Sequence, residues 1–139
     1  MNVLFHLIPK EKVAFIYDNF TLRQAMEKME YHRYTAVPIL SESGKYIGIL
    51  REGDILWHIK NINRFDLQYA ESILVKDLNR KKDHANVNID ADIDELIKLS
   101  VDQNFIPVVD DRKNFIGIVT RKAIITHLAQ KYKENNNGI

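Results

Sequence analysis

The sequence predicts a mixed α/β fold built from two copies of one unit, each running strand, helix, strand, strand, helix. Three observations predict it. Pro38 and Pro107 are 69 positions apart, and so are Gly48 and Gly117. The same offset, without a gap, aligns Pro38-Ile39-Leu40 with Pro107-Val108-Val109, Tyr46–Leu50 with Phe115–Val119, Ile55-Leu56 with Ile124-Ile125, and His58 with His127. Each copy also starts its first helix with a capping signature, followed by apolar residues at helical spacing.

Taken in order, Val13–Tyr17 and Ala85–Ile89 read as short, mostly apolar strands. Thr21 caps the next helix, with Gln24 three residues on; Asp92 and Glu95 repeat the arrangement. In such a box the cap side chain and the third helical residue satisfy orphan backbone N–H groups reciprocally. Leu22, Ala25, Met26 and Met29 share one helix face, as do Ile93, Leu96, Ile97 and Ser100. Ala36–Leu40 and Ile106–Val109 are strands. Their prolines are expected at a strand start or a sheet edge, because proline has no N–H for a ladder. Ser43-Gly44 and Asp111–Lys113 turn the chain into strands Tyr46–Leu50 and Asn114–Val119. The last helices are expected over 53–61 and 121–133. The domain reading is a first repeat over 1–62, a linker over 63–76, a second repeat over 77–134 and a frayed tail over 135–139. A half of ~60 residues buries little core by itself, so the halves are expected to pack on each other.

Composition narrows the function classes. The 139 residues carry 20 Lys plus Arg against 19 Asp plus Glu, a formal charge of +1. That balance excludes a dedicated nucleic-acid binder and an acidic disordered tail. No run approaches the ~18 apolar residues of a membrane span. Val3–Ile8 is apolar, but His6 interrupts it and no positive segment precedes it, so a secretory leader is not expected. The absence of cysteine removes disulfides, thiolate metal sites and cysteine nucleophiles, and fits a reducing cytoplasm. No nucleophile–base pair, metal cluster or carboxylate pair emerges, and no enzyme activity is expected.

The Tyr-Thr-Ala-Val-Pro strand (34–38), the Gly-Ile-Leu-Arg-Glu-Gly-Asp segment (48–54) and the Gly-Ile-Val-Thr-Arg-Lys-Ala segment (117–123) resemble those of the CBS domain pair, or Bateman module. The resemblance runs from about residue 8 to 133. It implies two repeats in pseudo-twofold symmetry that bind adenosine-containing ligands in two clefts. Each cleft joins the first strands of one repeat to the Thr-x-x-Asp segment of the other. A Thr at a helix start offers phosphate a hydroxyl beside unpaired N–H groups, and an Asp one turn on accepts the hydrogens of a ribose diol. This chain departs from the pattern in both copies. Arg51 stands where Thr is expected, ahead of Asp54, and Ala123 stands where Asp is expected, behind Thr120.

One cleft would combine Lys12, Val13 and Ala14, and Tyr34, Thr35 and Ala36, with Thr120, Arg121 and Lys122. Three cations, a hydroxyl and a stacking ring suit a ligand with two phosphates and no free ribose diol. The combination is similar to that of stand-alone CBS proteins of Gram-positive bacteria that bind cyclic di-AMP. Their last motif reads Thr-Arg-Arg, so Lys122 is a departure that keeps the charge and loses the planar fork. The possible second cleft would use Asn86–Asn88, Asn104–Ile106, Arg51 and Asp54, with Asn88 and Phe105 among its contacts. The resemblance implies a regulatory sensor of adenine nucleotides, cyclic di-AMP favoured, with no required cofactor. It would form a homodimer and dock on an effector protein, without nucleic acid or membrane. The alternatives are a sensor of AMP, ADP or ATP and a ligand-free dimerisation module.

Each residue also has a plainer reading. Thr120 is a favoured helix cap anywhere. Arg121 and Lys122 can be solvated charges, although two cations oppose the helix dipole at that end. Lys12 lies on a surface loop, Tyr34 can be a packing aromatic, and Asp54 suits a helix start without any ligand. His58 and His127 sit on different helices without a carboxylate at ligand spacing, so they read as structural rather than metal-binding. Trp57 is a core or dimer-contact candidate. Arg80, Lys81 and Lys82 read as a solvated basic loop.

Overall fold

The computed structural model describes residues 2–80 and 83–137. Lys81, Lys82 and the last two residues of the tail lie outside the described residues. The elements in chain order are α1 (Val3–His6), β1 (Ile8–Pro9), β2 (Ile16–Tyr17), α2 (Leu22–His32), β3 (Ala36–Leu40), β4 (Tyr46–Arg51), α3 (Glu52–Ile62), α4 (Leu67–Ser72), β5 (Val87–Asn88), α5 (Ile93–Ser100), β6 (Phe105–Val109), β7 (Phe115–Thr120) and α6 (Arg121–Asn137). Each repeat keeps the predicted order of elements. The first strands are shorter than predicted, at two residues each.

The chain divides into two compact units. One comprises Ala14–Asp83 and Lys113–Phe115. Its sheet has the order β2-β3-β4, with β2 parallel and β4 antiparallel to β3. The capping box forms as predicted: Thr21 Oγ1 accepts the Gln24 N–H at 3.1 Å, and Gln24 Oε1 accepts the Thr21 N–H at 2.8 Å. The helix ends where Arg33 turns left-handed, with φ 57°. Leu22, Ala25 and Met29 bury their shared face against Ile16, Val37, Ile39, Leu50 and Ile55. Each full-sized apolar side chain withdrawn from water there contributes about 1.5–3 kcal/mol. The stretch read as a polar linker contains α4. Asp66 accepts the Tyr69 N–H at 2.7 Å to cap it, and Ala70 enters the same core. One cap followed by Leu67, Tyr69 and Ala70 is too short a pattern to announce a six-residue helix in advance.

The other unit comprises the segment through Val13, His84–Arg112 and the chain from Ile116 onward. Its sheet has the order β1-β7-β6-β5. β1 runs antiparallel to β7, Ile8 opposite Ile118 and Pro9 opposite Gly117, while β5 is parallel to β6. Val3 is fully buried beside Leu96, Ile106, Val119 and Ile124. Residues before Ala14, read as part of the first repeat, therefore group with the sheet of the second. Asp92 caps α5 by accepting the Glu95 N–H at 2.9 Å. α6 continues to Asn137, past the point at which fraying is expected. The low helix propensity of Asn, some tenths of a kcal/mol per residue below Ala, does not stop a helix without Gly or Pro.

Both prolines lie in the middle of inner strands, not at a start or an edge. Pro38 faces Ile49, whose N–H points away from β3 to Asp83 at 2.8 Å. The Pro38–Ile49 pair is therefore a non-hydrogen-bonded one, and the proline nitrogen faces the side of β2. There β2 pairs only with Ile39 and Leu40. Pro107 is likewise flanked by a β5 that reaches only Val108 and Val109. The short first strands make a mid-strand proline free of cost to the ladder.

Candidate functional site

The predicted phosphate segment lies where β7 passes into α6. Thr120 Oγ1 accepts the Ala123 N–H at 3.1 Å, so the hydroxyl acts as a helix cap. The first turn of α6 holds Arg121 and Lys122 and no acid, against the preference of a helix dipole. Lys122 is exposed, whereas Ala123, at the position of the missing Asp, packs against the core. Arg121 is anchored by its own chain. Its Nε donates to the carbonyls of Ser100 at 2.7 Å and Gln103 at 3.2 Å, and its own N–H donates to the Asn104 carbonyl at 2.9 Å. Three contacts bind the loop after α5 to the start of α6. Lys12, in the same unit, ends an exposed 3-10 turn over Lys10–Lys12.

The predicted adenine segment belongs to the unit of Ala14–Asp83. Ala14 is buried. Tyr34 donates its N–H to the Met29 carbonyl at the end of α2, and the Thr35 carbonyl accepts the first N–H of α3, that of Glu52, at 3.0 Å. Ala36 pairs with Arg51. The run Tyr34–Ala36 is thus fixed between two helix ends. The Tyr34 ring is 41% exposed and lies nearly parallel to His32, centroids 5.2 Å apart. One face of the ring is covered by His32 of its own chain.

The residues of the possible second cleft fall in different units. Asp54 Oδ2 accepts the Arg51 N–H at 2.9 Å, closing the start of α3. Arg51 and Asp54 line a pocket of about 330 Å³ with Trp57, His58, Asn61 and Asn79. Asn88 donates to Asp111 at 2.9 Å, and its own Oδ1 accepts the Asp90 N–H. Phe105 is buried against His84, ring centroids 4.7 Å apart. Beside it Gln103, buried and not anticipated from the sequence, accepts the Ala85 N–H at 2.8 Å and donates to the Ala85 carbonyl at 3.0 Å. A glutamine in a polar run, Asp102–Asn104, gives no sequence signal of this role.

The repeat-matched histidines have different partners. His58 is hydrogen-bonded to the Tyr69 hydroxyl at 2.8 Å. His127 meets His6 edge to face, centroids 5.3 Å apart. Burial, followed by the neighbouring His6, holds the His127 pKa below the usual imidazole value. Among the described residues no group of three potential ligands is placed to hold a metal ion, and no helix is long and apolar enough to cross a membrane.

Comparison with known proteins identifies the repeat. The CBS domain pattern matches residues 6–61 and 75–130. Cyclic di-AMP receptor B of Bacillus subtilis is 24% identical over 94% of this chain and 88% of its own. A crystal structure of CbpB in complex with c-di-AMP superposes with a TM-score of 0.84 at 25% identity, covering 100% of this chain and 91% of that one. An uncharacterized protein of Methanocaldococcus jannaschii is 24% identical over 90% of this chain, which spans 49% of that protein's length.

Proposed function

Since this chain belongs to the CBS domain family, with two CBS domains in tandem, we propose that it is a regulatory adenine-nucleotide sensor with cyclic di-AMP as its favoured ligand. The observation that carries the reading is the start of α6, where a capping hydroxyl and two cations stand without an acid. Two cations opposing a helix dipole suit an anion. The phosphates fall to Lys12, Thr120, Arg121 and Lys122, and adenine to Ala14 and the run Tyr34–Ala36. The missing Asp at Ala123 matches a ligand whose ribose 3′ oxygens are tied up in a ring. The relatives named for cyclic di-AMP support the same choice. The sensor works in the cytoplasm as a homodimer. It signals by docking to an effector protein, with ligand shifting that equilibrium through its differential affinity for two states. A ligand-free interaction module is the second reading, favoured by the commitment of Arg121 Nε to two carbonyls.

Thermal melts with AMP, ATP and cyclic di-AMP in excess separate the two. A ligand at about 100 times its Kd adds ~2.7 kcal/mol of stability. A shift with cyclic di-AMP supports the proposal. A shift with AMP or ATP alone changes the ligand, and no shift with any of the three leaves the interaction module.

A further inference from the structure

Gln103 is only 8% exposed and its amide makes three bonds. Oε1 accepts the Ala85 N–H at 2.8 Å, and Nε2 donates to the carbonyls of Ala85 at 3.0 Å and Phe105 at 3.3 Å. Its backbone carbonyl accepts the Arg121 Nε–H at 3.2 Å, beside the Ser100 carbonyl at 2.7 Å. We propose that Gln103 is a positioning residue for the nucleotide site: it fixes a carbonyl that holds Arg121, so that the guanidinium meets a ligand phosphate already oriented. The inference rests on the sensor reading above and adds to it a residue that touches no ligand.

The two repeats show that the fold does not require this clamp. The first N–H of α6, that of Arg121, donates to the Asn104 carbonyl at 2.9 Å, and the first N–H of α3, that of Glu52, donates to the Thr35 carbonyl at 3.0 Å. Donors and acceptors are each 69 positions apart, so one backbone bond ties helix to strand in both units. Beyond that bond the repeats part. Glu52 is exposed and its carboxylate has no donor to offer a carbonyl. Tyr34 stands where the second repeat has Gln103, and its ring is stacked on His32. The first repeat thus starts its helix without a side-chain anchor. In the second, the anchor is surplus to the fold, and its use lies in what Arg121 does.

The anchoring suits a phosphate. Among the described residues only Nε of the guanidinium is bonded, which leaves the donors of Nη1 and Nη2 to a ligand. A fork held at Nε has a fixed plane, and bidentate pairing with phosphate depends on that plane. Fixing it before the ligand arrives removes an ordering cost from binding. The two carbonyls can do this only if they hold still. Ser100 is the last residue of α5. Gln103 lies in the turn that follows, where its three amide bonds take the place of a helix or strand ladder. Its own N–H, donated to the Leu99 carbonyl at 3.0 Å, completes the fixing.

A binding cycle on the full chain tests the role, with cyclic di-AMP as the probe, titration calorimetry as the readout and urea denaturation of each ligand-free variant as the control for folding. Gln103→Met keeps the length of the side chain and loses its amide. It should raise the Kd about threefold to tenfold when Arg121 is present, and less than about twofold in the Arg121→Ala background. A side chain needed only for folding would lower stability in both backgrounds and change the Kd equally in both or in neither; either result overturns the proposal. Wild type supplies a second measurement, which decides if the variant does not fold. The NMR signal of the Arg121 Nε–H should be present in the ligand-free chain, because that proton is bonded, and should persist at saturating cyclic di-AMP while the Nη signals move. Loss of the Nε–H signal in the complex overturns the proposal, since the guanidinium has then left its carbonyls. A wild type that does not bind cyclic di-AMP overturns the choice of ligand and this inference together. A wild type that binds it with a Kd indifferent to Gln103→Met overturns the positioning role alone.

Discussion

Asp83 accepts the Ile49 N–H at 2.8 Å on the outer edge of β4, over the face that Gly48 leaves bare. The position equivalent to Ile49 in the other repeat is Ile118, which lies opposite Ile8 of β1. One carboxylate thus covers an edge strand in one unit, where a whole strand covers it in the other. Uncovered edges invite pairing with other chains. Arg80 braces the carboxylate from 3.3 and 3.4 Å. Tyr46, pushed above the usual phenol pKa by burial and then by Asp83, stays neutral beside it.

Asp83→Ala should cost about 1–3 kcal/mol, because it strips the acceptor from a buried N–H, and Asp83→Asn should cost less. An alanine Cβ at position 48 would lie 2.4 Å from the Asp83 carboxylate. Gly48→Ala therefore acts by displacing Asp83, and the double variant should be no worse than the costlier single one. Urea denaturation gives the cycle. Fully additive costs would show that the two residues act independently.

Gly117→Ala should be worse than Gly48→Ala. Its Cβ would lie 2.1 Å from the Ile8 carbonyl oxygen, and the glycine has a φ of 154°. A backbone atom in a paired strand cannot swing away as a carboxylate does. The expected result is a loss of roughly 3 kcal/mol with detachment of β1, seen as faster hydrogen exchange at Ile118. A stable variant with unchanged exchange would contradict it.

These two glycines show what the sequence reveals and what it hides. The offset marks both, since each sits at the same place in a strand. It does not reveal that a distant carboxylate covers one and residues near the N-terminus the other, because those approaches join segments far apart in the chain. The box at Thr21 was legible because its hydrogen bonds are local, and strand Ala36–Leu40 because it is apolar throughout. The proline rule misled for a physical reason: which way Pro38 points depends on the pairing partner of Ile49. Thr120 as a cap was equally local. The anchoring of Arg121 was not, because the Ser100 and Gln103 carbonyls reach it only through the turn after α5.

Stability should fall on mild acidification through His127. Its folded pKa is lowered by burial and by His6, so the folded state prefers the neutral ring. The unfolded chain binds the proton first, near pH ~6.5. The contribution is complete above that value and is lost as pH falls through the depressed folded pKa. Melts of wild type and His127→Gln between pH 8 and about 5 should differ in slope only in that window. Identical slopes would remove His127 as the cause.

Arg121 and Lys122 should separate folding from ligand binding. Arg121→Ala loses charge-assisted hydrogen bonds to two carbonyls and should lower the stability of the ligand-free chain by about 1.5–3 kcal/mol. A ligand defect in that variant is therefore ambiguous by itself. Lys122 is exposed, and Lys122→Ala should change ligand-free stability by less than about 0.5 kcal/mol. If Lys122 holds a phosphate of cyclic di-AMP, this variant should melt like wild type alone and show a smaller shift with the ligand. Asp54→Ala is the reverse control. It removes the carboxylate from the Arg51 N–H and should cost about 1 kcal/mol as a lost cap, while leaving the ligand-induced shift unchanged. A full shift in Lys122→Ala together with a lost shift in Asp54→Ala would move the ligand from the start of α6 to the start of α3.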